Sequence, residues 1–241
     1  MSEITFESDK MEKRNARPSR EIVVPGDVLS TRGEKGGDNT YERDGKLYAA
    51  ILGVKNYSQN GISVMPIGGV YMPSTGDTVI GIINDIAASN WMVDISAPYP
   101  APLHVNEVPW KVEFGDTSKY LNVGDAVLLK ILMVDESKKI QVTMNDSGLR
   151  KLDGGMIVDV PYCKVSRIIG KSGSMIQMLK NMTDCRIFIG QNGRIWIDGD
   201  DENAEVAADA IRYIEENSQK GNLTEKVKAL IEERLPGAGE E

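Results

Sequence analysis

The stretch "VSRIIGKSGSMIQMLK", Val165 to Lys180, constrains the fold more than any other part of the chain. It sets Gly-Lys-Ser-Gly between two apolar patterns of helical period. Val165, Ile168 and Ile169 share one face before it, and Met175, Met178, Leu179 and Met182 share one face after it. A Gly-Lys-Ser triplet behind an apolar run also suggests the phosphate loop of a nucleotidase, G-x-x-x-x-G-K-[ST]. Here the leading glycine position is occupied by Val165, and Ser166, Arg167, Ile168 and Ile169 suit a helix rather than an anion-wrapping turn. One short strand, "GGMIVDVPY", precedes the stretch and no run of βαβ units follows. Spacing and context together exclude the nucleotidase.

Downstream, "CRIFIG" and "RIWIDG" alternate as strands around "QNG". Ile187 and Ile189 share a face with Ile195 and Ile197 only if the loop has an odd number of residues. A loop of Gln191, Asn192 and Gly193, with Gly193 left-handed, meets this condition and sets Phe188 opposite Trp196 on the other face. "NAEVAADAIRYIEE" predicts a helix with Ala207, Ala210, Ile211 and Ile214 inward, and "LTEKVKALIEERL" a final amphipathic helix before a disordered "PGAGEE".

Upstream, one phrase recurs: "PGDVLS", "TGDTVIGII" and "VGDAVLLKI" each put Gly-Asp just ahead of an apolar run, as a turn launching a strand does. Residues 1–20 are polar and expected to be flexible. Residues 21–66 predict a small β domain with strands in "EIVVPGDVLS", "LYAAILGVKN" and "GISVMPI", separated by a mobile loop, "TRGEKGGDNTYERDGK". Such a segment buries little core alone and needs a neighbour. Residues 67–149 predict a five-stranded barrel of the OB type, with strands in "DTVIGIINDI", "WMVDIS", "DAVLLKILMVDE" and "KIQVTM". The proline-rich "SAPYPAPLHVNEVPWKVEFGDTSKY" reads as a long loop across one rim, and "LRKLDGG" as a linker. Residues 150–220 then form the mixed α/β domain, and 221–241 a C-terminal helix and tail. The fold class is therefore multidomain, mainly β followed by α/β.

Composition restricts the chemistry. His104 is the only histidine, and Cys163 and Cys185 form no Cys-x-x-Cys pair, so neither a metal-ligand cluster nor a disulfide framework is expected. No nucleophile and base stand together. The dense acidic run "DGDDE" reads as a turn followed by an acidic helix start, the alternative being a metal-dependent nuclease using Asp198, Asp200 and Asp201. The polar start "MSEITFESDK" is no signal peptide, and no apolar run approaches the about twenty residues needed to cross a membrane, which predicts a cytoplasmic protein. A formal charge of −8 means that any nucleic-acid contact must be local.

From 155 to 217 the order is strand, helix, Gly-Lys-Ser-Gly, helix, strand, strand, helix. This is the βααββα layout of a KH domain, whose G-x-x-G loop clamps the backbone of about four single-stranded nucleotides. Gly170 and Gly173 would let two helices meet tightly and let a sugar-phosphate chain approach with no Cβ in the way. Lys171 supplies a charge, Ser172 a small donor, and the following helix N-terminus its amides. Arg167 stands beside the loop, and Ile168 and Ile176 would floor the groove for the bases.

The whole chain resembles the RNA-binding cap subunits of the archaeal exosome. The resemblance covers about residues 20–220 and is carried by "VVPGDVLS", the barrel segment with "WMVDISAPYPAPL", "RIIGKSGSMI" and "GQNGRIWIDG". The last contains the G-x-N-G signature of that family's KH domains, with Gly190, Asn192 and Gly193 in structural roles. The resemblance implies an S1-type barrel, in which Trp91 and His104 are candidates for RNA contact. Phe188 and Trp196, as paired aromatics, are expected to bury against the barrel, the alternative being to stack bases on an open sheet. It implies a non-catalytic subunit without cofactors, three copies of which cap a ring of phosphorolytic RNase PH-like subunits. The cap captures single-stranded RNA and passes its 3′ end inward for degradation or polyadenylation, with the N-terminal domain and barrel contacting the ring. A stand-alone regulatory or translational RNA-binding protein is the alternative.

Overall fold

The protein is described here by a computed structural model covering residues 21–58, 61–218 and 221–235. The expectations for residues 1–20 and for "PGAGEE" lie outside these residues. The chain forms two compact units, one up to Gly69 and one from Val70 onward.

The first unit is built from β1 (Ile22–Val23), β2 (Val28–Ser30), β3 (Thr40–Arg43), β4 (Lys46–Ala49), β5 (Gly53–Ser58) and β6 (Gly61–Pro66). They form two three-stranded antiparallel sheets, ordered β1-β5-β6 and β2-β4-β3. Val23, Leu29, Leu47, Ala49, Ile62 and Val64 make a small core. Two expectations are corrected. The expected loop "TRGEKGGDNTYERDGK" holds β3, because Asp44 (φ 52°) and Gly45 (φ 71°) form a two-residue hairpin turn that matches the twist of its strands. The run "LYAAILGVKN" is not one strand: it breaks at residues 50–52 and changes sheet. Gly53 restarts it where a Cβ would lie 2.3 Å from the Met65 carbonyl oxygen.

The recurring Gly-Asp phrase folds the same way three times. Gly26, Gly76 and Gly124 have φ of 93°, 94° and 93°. The Asp27, Asp77 and Asp125 carboxylates accept from the amides of Val24 (2.8 Å), Ser74 (3.1 Å) and Asn122 (2.7 Å). Each turn launches a strand at the next residue.

The second unit begins with a barrel of β7 (Thr78–Ile86), β8 (Asn90–Asp94), β9 (Ala101–His104), β10 (Ala126–Val134) and β11 (Ile140–Thr143), with β12 (Lys151–Leu152) as an added edge. The order is β11-β9-β8-β7-β10-β12, and β10 pairs with β11 to close five strands. All pairs are antiparallel except β9–β11, which meet at Leu103 and Val142. The expected rim loop therefore contains the closing strand. The expected linker "LRKLDGG" likewise contains β12: Lys151 and Leu152 pair with Val127 and Ala126, and Lys151 bonds Asp125 at 2.8 Å. Burial disfavours the Asp125 carboxylate, but the Asn122 amide and Lys151 ammonium outweigh it and hold its pKa below the usual range.

The chain continues through β13 (Met156–Asp159), α1 (Val165–Ile169), α2 (Ser174–Thr183), β14 (Arg186–Ile189), β15 (Arg194–Asp198), α3 (Asp201–Glu216) and α4 (Leu223–Arg234). This is the βααββα order followed by one helix, with an antiparallel sheet β13-β15-β14. Ile187, Ile195 and Ile197 face buried Ile168, Leu179, Ala207, Ile211 and Ile214. Phe188 pairs with Trp196 across the strands, as the odd loop requires. Their face meets the barrel, where Trp196 (2% exposed) packs with Ile80, Leu128 and Leu152 and donates from Nε1 to the Gly154 carbonyl at 2.9 Å.

Candidate nucleic-acid interface

The Gly170–Gly173 loop joins α1 to α2 through three residues of positive φ: Gly170 (76°), Ser172 (53°) and Gly173 (80°). The two glycines have different reasons to be there. A Cβ on Gly170 would lie 2.7 Å from Met175 Cβ and 2.8 Å from its amide nitrogen, so the tight corner between the helices demands glycine. A Cβ on Gly173 would meet only Ile176 Cγ2, at 4.0 Å, so its left-handed backbone is the constraint and its outer side stays open. No side chain caps the N-terminus of the ten-residue α2 at Gly173. Lys171 and Ser172 are exposed, as is Arg167 on α1. The loop thus presents a cation and a hydroxyl to solvent at a helix N-terminus, a set suited to phosphate.

Two candidates lie elsewhere than expected. Ile168 is fully buried in the α/β core, so it supports the loop from beneath and cannot touch a base. The partly buried residues beside the loop are Ile169 and Ile176. Trp91 is also fully buried: strand alternation turns it into the barrel with Val93, and its Nε1 donates to the Leu121 carbonyl at 3.2 Å. No base can stack on it. His104 is exposed at the end of β9, where Nδ1 accepts from the Asn106 amide at 3.2 Å and caps a short 3-10 turn.

Gly190, Asn192 and Gly193 belong to a seam rather than to a surface. Asn192 (4% exposed) donates to the carbonyls of Ile80 (2.8 Å) and Ile95 (3.0 Å) in the barrel and accepts from the Ile80 amide at 3.3 Å. Gln191 bonds Thr78 in both directions, at 2.9 Å each way. A Cβ on Gly193 would lie 2.1 Å from the Val160 carbonyl oxygen, and its φ is 92°. Arg194, which sequence reasoning missed, completes the seam: its buried guanidinium donates to the Asp94 carbonyl at 2.6 Å and pairs with the Asp94 carboxylate. Its Nε lies 3.4 Å from Asp159 Oδ1, a charge contact outside hydrogen-bond geometry. Burial works against ionisation of Asp94, yet Arg194 and the Ser96 amide keep its pKa below the ordinary carboxylate value. The signal for Arg194 was its place directly after the G-x-N-G run.

Among the described residues no group of three or more His, Cys, Asp or Glu side chains could hold a metal. Asp198 pairs with Arg186, and Asp201 and Glu202 lie in the first turn of α3, where the dipole favours them. Cys163 and Cys185 are free thiols. No helix among the described residues is long and apolar enough to cross a membrane.

Comparison with known proteins finds a match in each of these modules. The profile of the exosome RNA binding protein RRP4 N-terminal domain matches residues 20–68, that of the RRP4 S1 domain residues 70–115, and that of the KH domain residues 155–203. The exosome complex component Rrp4 of Methanosarcina acetivorans is 46% identical over 208 residues, spanning 86% of this chain and 80% of its own. That of Picrophilus torridus is 41% identical over 218 residues, spanning 90% and 95%. A crystal structure assigned to an exosome complex RNA-binding protein aligns with a TM-score of 0.65 at 34% identity, over 70% of this chain and 98% of that one. The chain belongs to the Rrp4 family of exosome complex components.

Proposed function

We propose that this chain is the non-catalytic RNA-binding cap subunit of an exosome. It captures single-stranded RNA and guides the 3′ end into a phosphorolytic ring of RNase PH-like subunits, for degradation or polyadenylation. The observation that carries the reading is the exposed Gly170–Gly173 loop, whose open outer side, cation and place at a helix N-terminus suit a sugar-phosphate backbone. Membership of a family named for an exosome component supports the assembly. Three copies per ring, acting in the cytoplasm, complete the proposal. The first unit favours a protein neighbour: Ile22 is 65% exposed and Tyr57 and Met65 are each 53% exposed around a core of six buried residues.

The test is binding of single-stranded RNA by the full chain and by K171D/S172D. Charge reversal beside a phosphate is expected to cost about 1–3 kcal/mol of affinity, with the unfolding temperature unchanged. Equal affinity in the two proteins contradicts the role given to the loop. Sedimentation with purified ring subunits tests the assembly: the account expects a trimeric cap, and a chain that stays monomeric beside the ring is a stand-alone RNA-binding protein instead.

A further inference from the structure

Phe188 lies on β14, the edge strand of the α/β sheet. Two cations from different modules converge on its ring. Arg150, between β11 and β12 of the barrel, places its guanidinium carbon 5.0 Å from the ring centroid. Lys180, in the last turn of α2, places Nζ 5.8 Å from the same centroid. One cation suffices for a cation–π contact, and phenylalanine is not the strongest ring for it. A second like charge on the same ring adds repulsion.

The surrounding charges make the pair stand out in a chain of net charge −8. Lys130 is matched by Asp146, Lys151 by Asp125 and Arg186 by Asp198. Arg150 and Lys180 are in none of the ion pairs among the described residues. A helix C-terminus favours a lysine on its own account, which explains Lys180 alone. It does not explain a guanidinium brought to the same ring from the barrel.

We infer that Arg150 and Lys180, mounted on Phe188, form a second phosphate-binding cradle, for the backbone of the single-stranded RNA that the Gly170–Gly173 loop holds. The inference rests on the RNA-binding reading above. Lys180 is six residues beyond Ser174, about 9 Å farther along the axis of α2 at 1.5 Å per residue, so the strand would run on from the loop along this helix. The cradle is held in place before RNA arrives. The Arg150 carbonyl accepts from the Leu128 amide at 2.8 Å, and the Gln191–Arg194 seam fixes the α/β domain against the barrel. Little ordering remains for binding to supply.

The experiment titrates a fluorescent oligoadenylate with the full chain, R150Q/K180Q, R150K and K171D/S172D, each across a salt series. Each phosphate contact on a single strand contributes about 0.7 to the slope of log affinity against log salt, hence roughly fivefold in affinity at about 0.1 M salt. R150Q/K180Q is expected to lose roughly 5- to 25-fold in affinity and about 0.7–1.4 in slope. R150K, which keeps the charge, is expected to retain the slope. Both residues act through side chains at the surface, so the unfolding temperature should stay with the wild type. Unchanged affinity and slope in R150Q/K180Q, with binding lost in K171D/S172D, overturn the cradle and leave the loop reading standing. A wild-type chain that does not bind the oligoadenylate overturns both. If R150Q/K180Q binds RNA normally but no longer sediments with ring subunits, the cradle takes an acidic protein surface and the inference is wrong.

Discussion

Two glycine-framed tetrads stand twenty residues apart in one small domain and do opposite work. Gly170-Lys-Ser-Gly173 faces solvent, and Gly190-Gln-Asn-Gly193 is pressed against the barrel. The glycines are similarly necessary in both. Gly170 is crowded by Met175, and Gly190 by Asn192 Oδ1 at 2.3 Å and the Ile80 amide at 2.8 Å. The residues between the glycines set the difference. Gln and Asn each carry a donor and an acceptor, so they can satisfy both backbone groups of a strand, as Asn192 does at Ile80. Lys offers donors only and Ser one hydroxyl on a short stem, and a charge and a hydroxyl suit an anion. Glycine permits a close approach, and its neighbours decide what approaches.

The largest effect that can break this comparison is expected at Asn192. N192A takes the Asn192 partner from the Ile95 carbonyl and the Ile80 amide, while the Ile80 carbonyl keeps Arg194 Nη1 at 3.5 Å, and buried polar groups left unpaired cost about 1–3 kcal/mol each, so a loss of about 2–6 kcal/mol is expected in chemical denaturation. A stability close to wild type would move the seam's strength to Trp196 and its apolar neighbours. G170A is expected to be next, since Met175 backbone atoms leave its Cβ no space; thermal unfolding should show a clear drop, larger than for G173A. G173A meets open space and pays only for positive φ, about 1 kcal/mol. If the two substitutions cost the same, the distinction between a packed corner and an open one is wrong.

The smallest effect concerns acid. Asp94 has a folded pKa below its ordinary value, so the stability it contributes is present at neutral pH and lost as pH falls through that lowered value. In the wild type, stability should therefore decline below about pH 4, and D94N should flatten part of that decline. A D94N profile parallel to the wild type would remove the Arg194 pair from the seam's energetics.

Much of the α/β domain was legible because its signals are local and redundant. An odd hairpin loop, alternating isoleucines and Gly193 fix one register, and Phe188 and Trp196 meet as that register demands. The barrel was harder. β9 hides in a segment where Pro102 cannot donate to a ladder, and only its neighbours β8 and β11 give it a place. Trp91 shows the limit of reading a residue type without its face: on a half-buried strand a one-residue change of phase separates a base platform from a core residue. For Ile168 the helical period already pointed inward with Val165, and that signal outweighed its closeness to the loop. The Arg194–Asp94 pair and the Arg150–Phe188–Lys180 cluster join residues far apart in sequence, and no periodicity brings them together.

The central claim is that one tetrad holds RNA and the other holds the domain. Amide hydrogen exchange on the full chain, with and without oligoadenylate, tests it most directly. The amides of Gly190, Gln191 and Gly193 donate to Arg194, Thr78 and Gly190 carbonyls, so they should be protected before RNA is added and unchanged after it. The Gly173 and Ser174 amides already donate to the Gly170 and Lys171 carbonyls, so the protection gained when RNA is bound should lie at Lys171 and Ser172. New protection at Gly190–Gly193, with none at Gly170–Gly173, would contradict the account.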